Sequence, residues 1–159
     1  MGGRKAVRMT TGEVQEFLDT HLRAHVATLN RDGTIHLVPV HFARIGEEIM
    51  FWTDPAAQKA MNVRRSPTVS ALIEDGGPFA ERRGVSLQGS ARIVEADAEL
   101  SLRVGQGMLA KWSPPVDPTD RENFLAVGPS RAVVRIFPAK VISWDHRKRP
   151  EASREELGK

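Results

Sequence analysis

A strict two-residue alternation in the middle of the chain constrains the fold more than any other feature. Polar residues fill the even positions from 86 to 92, and small or apolar residues fill the odd ones, Val85, Leu87, Gly89, Ala91 and Ile93. Successive side chains of a β-strand point to opposite faces of the sheet, so this pattern predicts a strand with one face in a core and one polar face. Such a strand requires partner strands elsewhere in the chain.

Five further segments are predicted strands, and short turns join most of them. Their bounds are 23–29, 35–44, 49–53, 68–74 and 131–144. The pair Asp32-Gly33 predicts a tight hairpin between the first two strands, because glycine readily adopts the positive φ of such turns. A second hairpin is predicted through Ile45-Gly46-Glu47-Glu48. Pro138 interrupts the last strand, because proline cannot donate a backbone hydrogen bond.

The strand 35–44 changes its pattern beside a proline. Ile35 and Leu37 occupy one face, whereas Val38 and Val40 occupy the other face, with Pro39 between them. A change of phase next to a proline predicts a β-bulge or an exposed sheet edge, where the backbone is free to face a ligand.

Three helices are predicted, at 10–21, 55–65 and 97–112. Thr10 and Glu13 form a capping-box pattern at the start of the first helix. Asp54, which a proline follows, is the predicted N-cap of the second helix, and Asp97 is that of the third. The proline-rich segment 113–118 is predicted to lack regular structure.

Hairpin-linked short strands with helices between them indicate a mainly β protein, a β-barrel with helical insertions. The 159 residues are typical of one domain, so we predict a single β-barrel domain over 1–150 and a frayed C-terminal tail over 151–159. The chain has no run of about 18 apolar residues and no secretory signal pattern, which predicts a cytoplasmic protein without membrane contact.

The residue types exclude several classes of site. The chain has no cysteine and no tyrosine, which excludes disulfides, thiolate chemistry and phenolic acids. It has no Gly-x-Ser-x-Gly or phosphate-loop motif, and no two histidines at a four-residue spacing lie within one predicted helix. We therefore predict neither a hydrolase nor a metal site, and the sequence assigns no catalytic side chain.

The second predicted helix carries basic and amide side chains along its length, namely Gln58, Lys59, Asn62, Arg64 and Arg65. Helix N-termini attract phosphate through free N–H groups and the helix dipole, and lysine or arginine adds charge-assisted contacts. The same residues are also typical of a solvated helix face, so the local pattern leaves both interpretations open.

The basic charge of the chain raises the alternative of nucleic-acid binding. The net charge is +3 and the isoelectric point is about 9.7. Aromatic residues make up only 6% of the chain, however, and single-strand grooves depend on aromatic stacking. We therefore predict no nucleic-acid partner.

Several short motifs follow one another in an informative order. They are Ala27-Thr28-Leu29-Asn30-Arg31-Asp32-Gly33 with Leu37-Val38-Pro39-Val40, Phe51-Trp52-Thr53 followed by Lys59, Asn62 and Arg64-Arg65-Ser66-Pro67, Arg83-Gly84-Val85 with Gly89-Ser90-Ala91, and Ser143-Trp144-Asp145-His146-Arg147-Lys148. In this order they resemble the pyridoxamine 5'-phosphate oxidase-like family of FMN-binding split β-barrels over nearly the whole chain. The resemblance implies the split β-barrel fold.

Within that family, the segments 83–85 and 143–148 are most similar to the actinobacterial branch that binds the deazaflavin coenzyme F420. The resemblance implies an F420-dependent oxidoreductase that transfers a hydride between reduced F420 and a planar conjugated small molecule. The alternatives are an FMN-dependent pyridoxamine phosphate oxidase-like flavoprotein and a non-catalytic cofactor-binding protein. Residues 144–147 depart from the arginine-histidine pattern that would hold pyridoxine phosphate.

The resemblance also implies a homodimer with the cofactor at the subunit interface. The cofactor-binding residues that it implies are, from the ring to the phosphate, Val38, Pro39 and Val40, then Trp52 and Thr53, then Gln58, Lys59, Asn62 and Arg64.

Overall fold

The structure is a computed structural model that describes residues 6–149. Its helices are α1 (Thr11–Thr20), α2 (Gln58–Arg65), α3 (Ala98–Leu109) and α4 (Pro118–Ala126). Its strands are β1 (Arg23–Leu29), β2 (Ile35–His41), β3 (Ala43–Ile45), β4 (Glu48–Thr53), β5 (Thr68–Asp75), β6 (Arg83–Val94) and β7 (Ala132–Asp145). The predicted tail over 151–159 lies outside the described residues.

All seven strands form one antiparallel sheet in the order β2-β1-β5-β6-β7-β4-β3. The two edge strands, β2 and β3, are consecutive in the chain and are separated only by Phe42, so the sheet curls until its edges meet in one segment. Phe42 is fully buried, and its N–H donates to the Leu22 carbonyl oxygen at 3.0 Å. The predicted mainly β split barrel is confirmed.

The core lies inside the curled sheet. Phe17 and Leu18 of α1 pack into it together with inward-facing residues of six strands. A second, smaller cluster lies under α3 and consists of Ala43, Met50, Val104, Met108 and Val133. This second cluster joins α3 to the β3–β4 hairpin. One of its members, Met108, also lines the candidate site.

Several local predictions are confirmed. Thr10 and Glu13 form the capping box, because the Thr10 N–H donates to Glu13 Oε2 at 2.6 Å and the Glu13 N–H donates to Thr10 Oγ1 at 3.3 Å. Gly33 and Gly46 have φ values of 85° and 62°, as their hairpin turns require. Asp97 caps α3 by accepting from the Leu100 N–H at 2.8 Å.

The interruption of the last strand at Pro138 is a β-bulge. Gln88 pairs with Lys140 and Gly89 pairs with Pro138, so β7 has one extra residue at this point. A Cβ on Gly89 would lie 2.1 Å from the Phe137 carbonyl oxygen, which explains the glycine. The strand continues beyond the bulge to Asp145.

The prediction of a bulge in the strand 35–44 is wrong. β2 pairs with β1 without a break from Ile35 to His41, and its side chains alternate between the two faces throughout. The apolar side chains of Ile35 and Leu37 lie on the outer, exposed face. The face to which a side chain of this strand points could therefore not be predicted from its hydrophobicity. The alternative prediction of a sheet edge is confirmed, and the strand ends at His41 instead of Arg44.

The start of the second helix was also predicted wrongly. α2 begins at Gln58, and its N-cap is Ala57, which has no side chain that could accept a hydrogen bond. Asp54 instead forms a turn of its own, in which Oδ1 accepts from the Ala56 N–H at 2.8 Å and the backbone oxygen accepts from the Ala57 N–H. An aspartate followed by proline can begin either a helix or a turn.

Helix α4 has no counterpart among the predicted elements. Asp117 caps it by accepting from the Thr119 N–H at 2.8 Å, and proline occupies its first position. None of its residues is buried, so the apolar periodicity by which helices are recognised is absent. No helix among residues 6–149 is long and apolar enough to cross a membrane.

Lys111 joins the end of α3 to α1. Its Nζ donates to the backbone oxygens of Leu18 and His21 at 2.7 and 3.1 Å and lies 3.7 Å from the centroid of the Phe42 ring. Burial lowers the pKa of Lys111 to about 8, against the smaller opposing effect of Asp19.

Lys111→Met is expected to change how stability depends on pH. A lysine of the unfolded chain has a pKa near 10.4, so between about pH 8 and that value the unfolded state binds more protons than the folded state. Lys111 therefore makes the free energy of unfolding rise across this window, by roughly 1 to 2 kcal/mol after allowance for partial exposure. Urea unfolding at a series of pH values should show that rise in the wild type and in the exposed control Lys140→Met, and not in Lys111→Met. A wild-type minus variant difference that is the same at all pH values would contradict this role.

Candidate functional site

A cavity of about 300 Å³ lies beside the end of edge strand β2. It is lined by Pro39, Val40, His41, Trp52, Lys59, Met108, Phe124, Val127 and Arg131. These residues come from β2, β4, α2, α3, α4 and the segment between α4 and β7, which the barrel brings together at this point. The lining combines apolar and aromatic walls with three ionisable side chains.

A larger cavity of about 460 Å³ lies between α1 and β7. Two of the charged side chains on its rim are engaged in ion pairs, Arg44 with Asp19 at 2.5 Å and Glu48 with Arg135 at 2.7 Å. We place the functional site in the smaller cavity, because two cations, Lys59 and Arg131, lie there near one carboxylate, Asp54, and beside an aromatic wall.

The aromatic wall of the site is built around Trp52. Its indole stacks on Phe124 with ring centroids 5.0 Å apart, and its Nε1–H donates to the Ser101 backbone oxygen at 3.1 Å. Gly105 and Gly128 make room for the indole, since a Cβ at either position would lie 2.5 or 2.8 Å from it. The ring is therefore held in one position, with part of its surface facing the cavity.

Two cations form another part of the lining. Burial lowers the pKa of Lys59, the nearby Asp54 carboxylate opposes this shift, and Arg131 adds to it. Arg131 Nη1 lies 3.9 Å from Asp54 Oδ2. Two cations share one exposed carboxylate, so this part of the cavity carries net positive charge in a partly dehydrated environment and favours an anionic group.

His41 is the third ionisable residue of the lining. Its ring lies edge-on to Trp112 at a centroid distance of 5.1 Å, and Trp112 in turn lies edge-on to Phe124 at 5.8 Å. Burial, and to a smaller extent the charge of Arg23, lowers the pKa of His41 below its ordinary value. The imidazole is therefore mainly neutral at neutral pH.

Four of the predicted cofactor-binding residues line the cavity together, namely Pro39, Val40, Trp52 and Lys59. Val38 lies two residues before Val40 and pairs with Val26, outside the lining. Thr53 is 3% exposed, and its hydroxyl donates to the Asp54 backbone oxygen at 3.3 Å.

Asn62 is fully buried at the centre of a hydrogen-bond network. Its Nδ2 donates to Thr28 Oγ1 at 3.0 Å and to Asn30 Oδ1 at 2.9 Å. Its Oδ1 accepts from Gln58 Nε2 at 2.9 Å and from Arg65 Nη2 at 3.2 Å. The amide therefore anchors α2 to the β1–β2 hairpin, and Gln58 supports it.

Arg64 faces away from the lining. Its Nη1 donates to the Pro55 backbone oxygen at 2.7 Å, and its guanidinium pairs with Glu95. These contacts hold the turn before α2 against the end of β6. Direct cofactor contacts of Arg64, Asn62 and Gln58 stay predictions.

Sequence reasoning assigned no site role to His41, Met108, Val127 or Arg131. They reach the cavity from segments that are far apart in the chain and carry no common motif. One signal was available, because His41 lies two residues after Pro39, and residues two apart on a strand share a face. Arg131 has no such signal, since its position depends on how β7 pairs with β4.

A curled antiparallel sheet whose edge strands meet at Phe42 defines a split-barrel protein, and an aromatic and cationic cavity lies beside its edge. Residues 10–145 match the model of the pyridoxamine 5'-phosphate oxidase family, and the chain belongs to this family. No match is found among curated protein sequences.

Solved structures show the same fold. The conserved hypothetical protein Rv2991 from Mycobacterium tuberculosis is 35% identical, with a TM-score of 0.82 over 93% of this chain and 92% of that one. An F420 reductase is 22% identical, with a TM-score of 0.60 over 80% and 94%. The FAD binding protein from Mycobacterium smegmatis is 18% identical, with a TM-score of 0.59 over 86% and 95%. The last two likenesses concern the fold alone.

Proposed function

We propose that the protein is an F420-dependent oxidoreductase that transfers a hydride between reduced coenzyme F420 and a planar conjugated small molecule. The observation that carries this proposal is the pairing of Lys59 and Arg131 with an aromatic wall in one cavity. A ligand that joins a phosphate to a flat ring system matches that combination. Fold likeness to an F420 reductase and the motifs at 83–85 and 143–148 support the choice of cofactor.

The residues of the cavity fit such a cofactor by their chemistry. Lys59 and Arg131 would hold the phosphate by charge-assisted hydrogen bonds. Pro39 and Val40 would present the edge of the barrel to the ring, and Trp52 and Phe124 would exclude water from it. When bound, a deazaflavin supplies a two-electron hydride donor, so the protein mainly has to orient the reactants.

The alternative cofactor is FMN, since the cation and aromatic groups would also suit a flavin phosphate. The fold likeness to an FAD binding protein favours keeping this alternative. A cofactor-binding protein without turnover is the third candidate.

Titration of the purified protein with F420 and with FMN, followed by fluorescence at matched ionic strength, tests the proposal. We expect micromolar or tighter binding of F420 and weaker binding of FMN. The reverse order would replace F420 with FMN, and binding of neither would overturn the proposal. Bound F420 without hydride transfer to any planar acceptor would favour the non-catalytic candidate.

We further propose that the protein is a homodimer and that the second copy covers the outer face of the sheet beside the cavity. On β2 the side chains of Ile35 and Leu37 are 68% and 62% exposed. They lie on the same face as Pro39, which lines the cavity. Ile142 of β7 is a further exposed apolar residue, at 41%. Ile35 and Leu37 form an exposed apolar patch that continues to Pro39 at the cavity. Such a patch supports a subunit interface at which the second copy covers the cavity.

Leu37→Asp is expected to convert the dimer to a monomer, because it buries an unpaired charge in the proposed interface. Sedimentation velocity at tens of micromolar protein should show the dimer for the wild type and the monomer for the variant. Leu102→Asp, which places the same charge at an exposed leucine of α3, is the matched control and should remain dimeric. A monomeric wild type, or equal dissociation of both variants, would contradict the proposed interface.

A further inference from the structure

The cavity lining contains one side chain suited to proton transfer near neutral pH. The ionisable members of the lining are His41, Lys59 and Arg131. Arginine does not release its proton in proteins, and Lys59 is assigned to an anionic group by the proposed function. Imidazole is the side chain whose ordinary pKa lies closest to neutral pH.

His41 lines the cavity and lies beside a row of aromatic rings. Its ring stands at one end of an aromatic row, in which Trp112 contacts Phe124 and Phe124 stacks on Trp52. A planar conjugated molecule would be accommodated along such a row by stacking. Within residues 6–149, no hydrogen bond from a protein group engages either ring nitrogen of His41, so a nitrogen is free for an acceptor.

We infer that His41 donates the proton to an acceptor that is reduced in this cavity. This inference rests on the proposed function, which supplies the hydride. Reduction of a quinone or an unsaturated carbonyl compound adds a hydride with its electron pair and leaves an oxyanion on the acceptor. The hydride comes from the reduced cofactor, which is thereby oxidised. The proton comes from the His41 imidazolium, which takes a new proton from solvent.

The charges around His41 agree with an acid role. Arg23 of the neighbouring strand β1 faces it, Lys59 and Arg131 share its cavity, and the lining contains no carboxylate. These surroundings favour the neutral imidazole, so its protonated form gives up a proton readily. The rate of reduction should therefore fall as the pH rises through the pKa of His41, which lies below the ordinary 6.5.

The experiment compares the wild type with His41→Gln and with His36→Gln, a control on the same strand but outside the lining. Menadione, a small planar quinone, is the probe, and the oxidation of reduced F420 is followed at a series of pH values. For His41→Gln we expect a rate constant lower by roughly 100-fold or more, the range of general acid catalysis, and no pH step below 6.5. The affinity for F420 should be unchanged, and His36→Gln should match the wild type.

Imidazole NMR gives a second result that needs no cofactor. The signal that is missing from the His41→Gln spectrum should titrate below pH 6.5 in the wild type and should shift when menadione is added. Normal F420 binding with an unchanged rate and pH profile in His41→Gln would overturn the role of His41 and leave the proposed function intact. Binding of neither F420 nor FMN by the wild type would overturn the proposed function, and the role of His41 with it.

Discussion

Replacing Lys59 with alanine is expected to weaken cofactor binding by about 1 to 3 kcal/mol, which is roughly 5- to 150-fold in Kd. Lys59 and Arg131 supply the positive charge of the cavity, and burial makes the lysine depend on an anionic partner. Loss of one of the two cations leaves the phosphate with one charge-assisted contact fewer. Fluorescence titration with F420 at low and high ionic strength measures the effect, which should be larger at low salt.

Two variants control for the loss of charge. Arg103→Ala removes an exposed cation of α3 outside the cavity and should bind F420 as the wild type does. Lys59→Arg keeps the charge and should recover most of the affinity. Equal Kd values for the wild type and Lys59→Ala, with equal unfolding midpoints, would remove Lys59 from the site.

Asn62→Ala is expected to lower the free energy of unfolding by about 2 to 4 kcal/mol. The fully buried amide of Asn62 makes four hydrogen bonds, to Thr28, Asn30, Gln58 and Arg65. Truncation leaves the buried Thr28 hydroxyl and the half-buried Asn30 Oδ1 without their donor. Urea unfolding without cofactor measures the loss.

Gln58→Ala is the matched control for Asn62, because it removes one of the four bonds and leaves the central amide in place. We expect it to cost less than about 1 kcal/mol. The same pair separates two roles of Asn62. If Asn62 acted only as a cofactor ligand, Asn62→Ala would keep the stability of the wild type and lose affinity for F420.

The strands and hairpins were predictable because their signals are local. The alternation at 85–93 and the positive-φ glycines Gly33 and Gly46 each depend on only a few neighbouring residues. The start of α2 and the whole of α4 were not predictable in this way. Asp54 followed by proline could begin either a helix or a turn, and α4 buries no apolar face that would show as a helical period.

The candidate site was predictable in part. The motif order pointed to Pro39, Val40, Trp52 and Lys59, and these four residues do line one cavity. The motif order did not separate residues that face the cavity from those that support it. Asn62, for example, is polar and lies close to Lys59 in the chain, yet its amide is engaged by the protein itself.

By itself, the sequence determined the barrel class and the positive character of the helix that carries Lys59, because these depend on residue types and their spacing. The order of its short motifs gave the resemblance to the family. The tertiary structure alone decided that Arg131 and His41 join Lys59 in one lining. The physical reason is strand pairing, since β7 lies beside β4 and the ends of β2, α2, α3 and α4 meet only when the sheet curls. Contacts between segments so far apart in the chain depend on the register of the whole sheet and leave no local pattern.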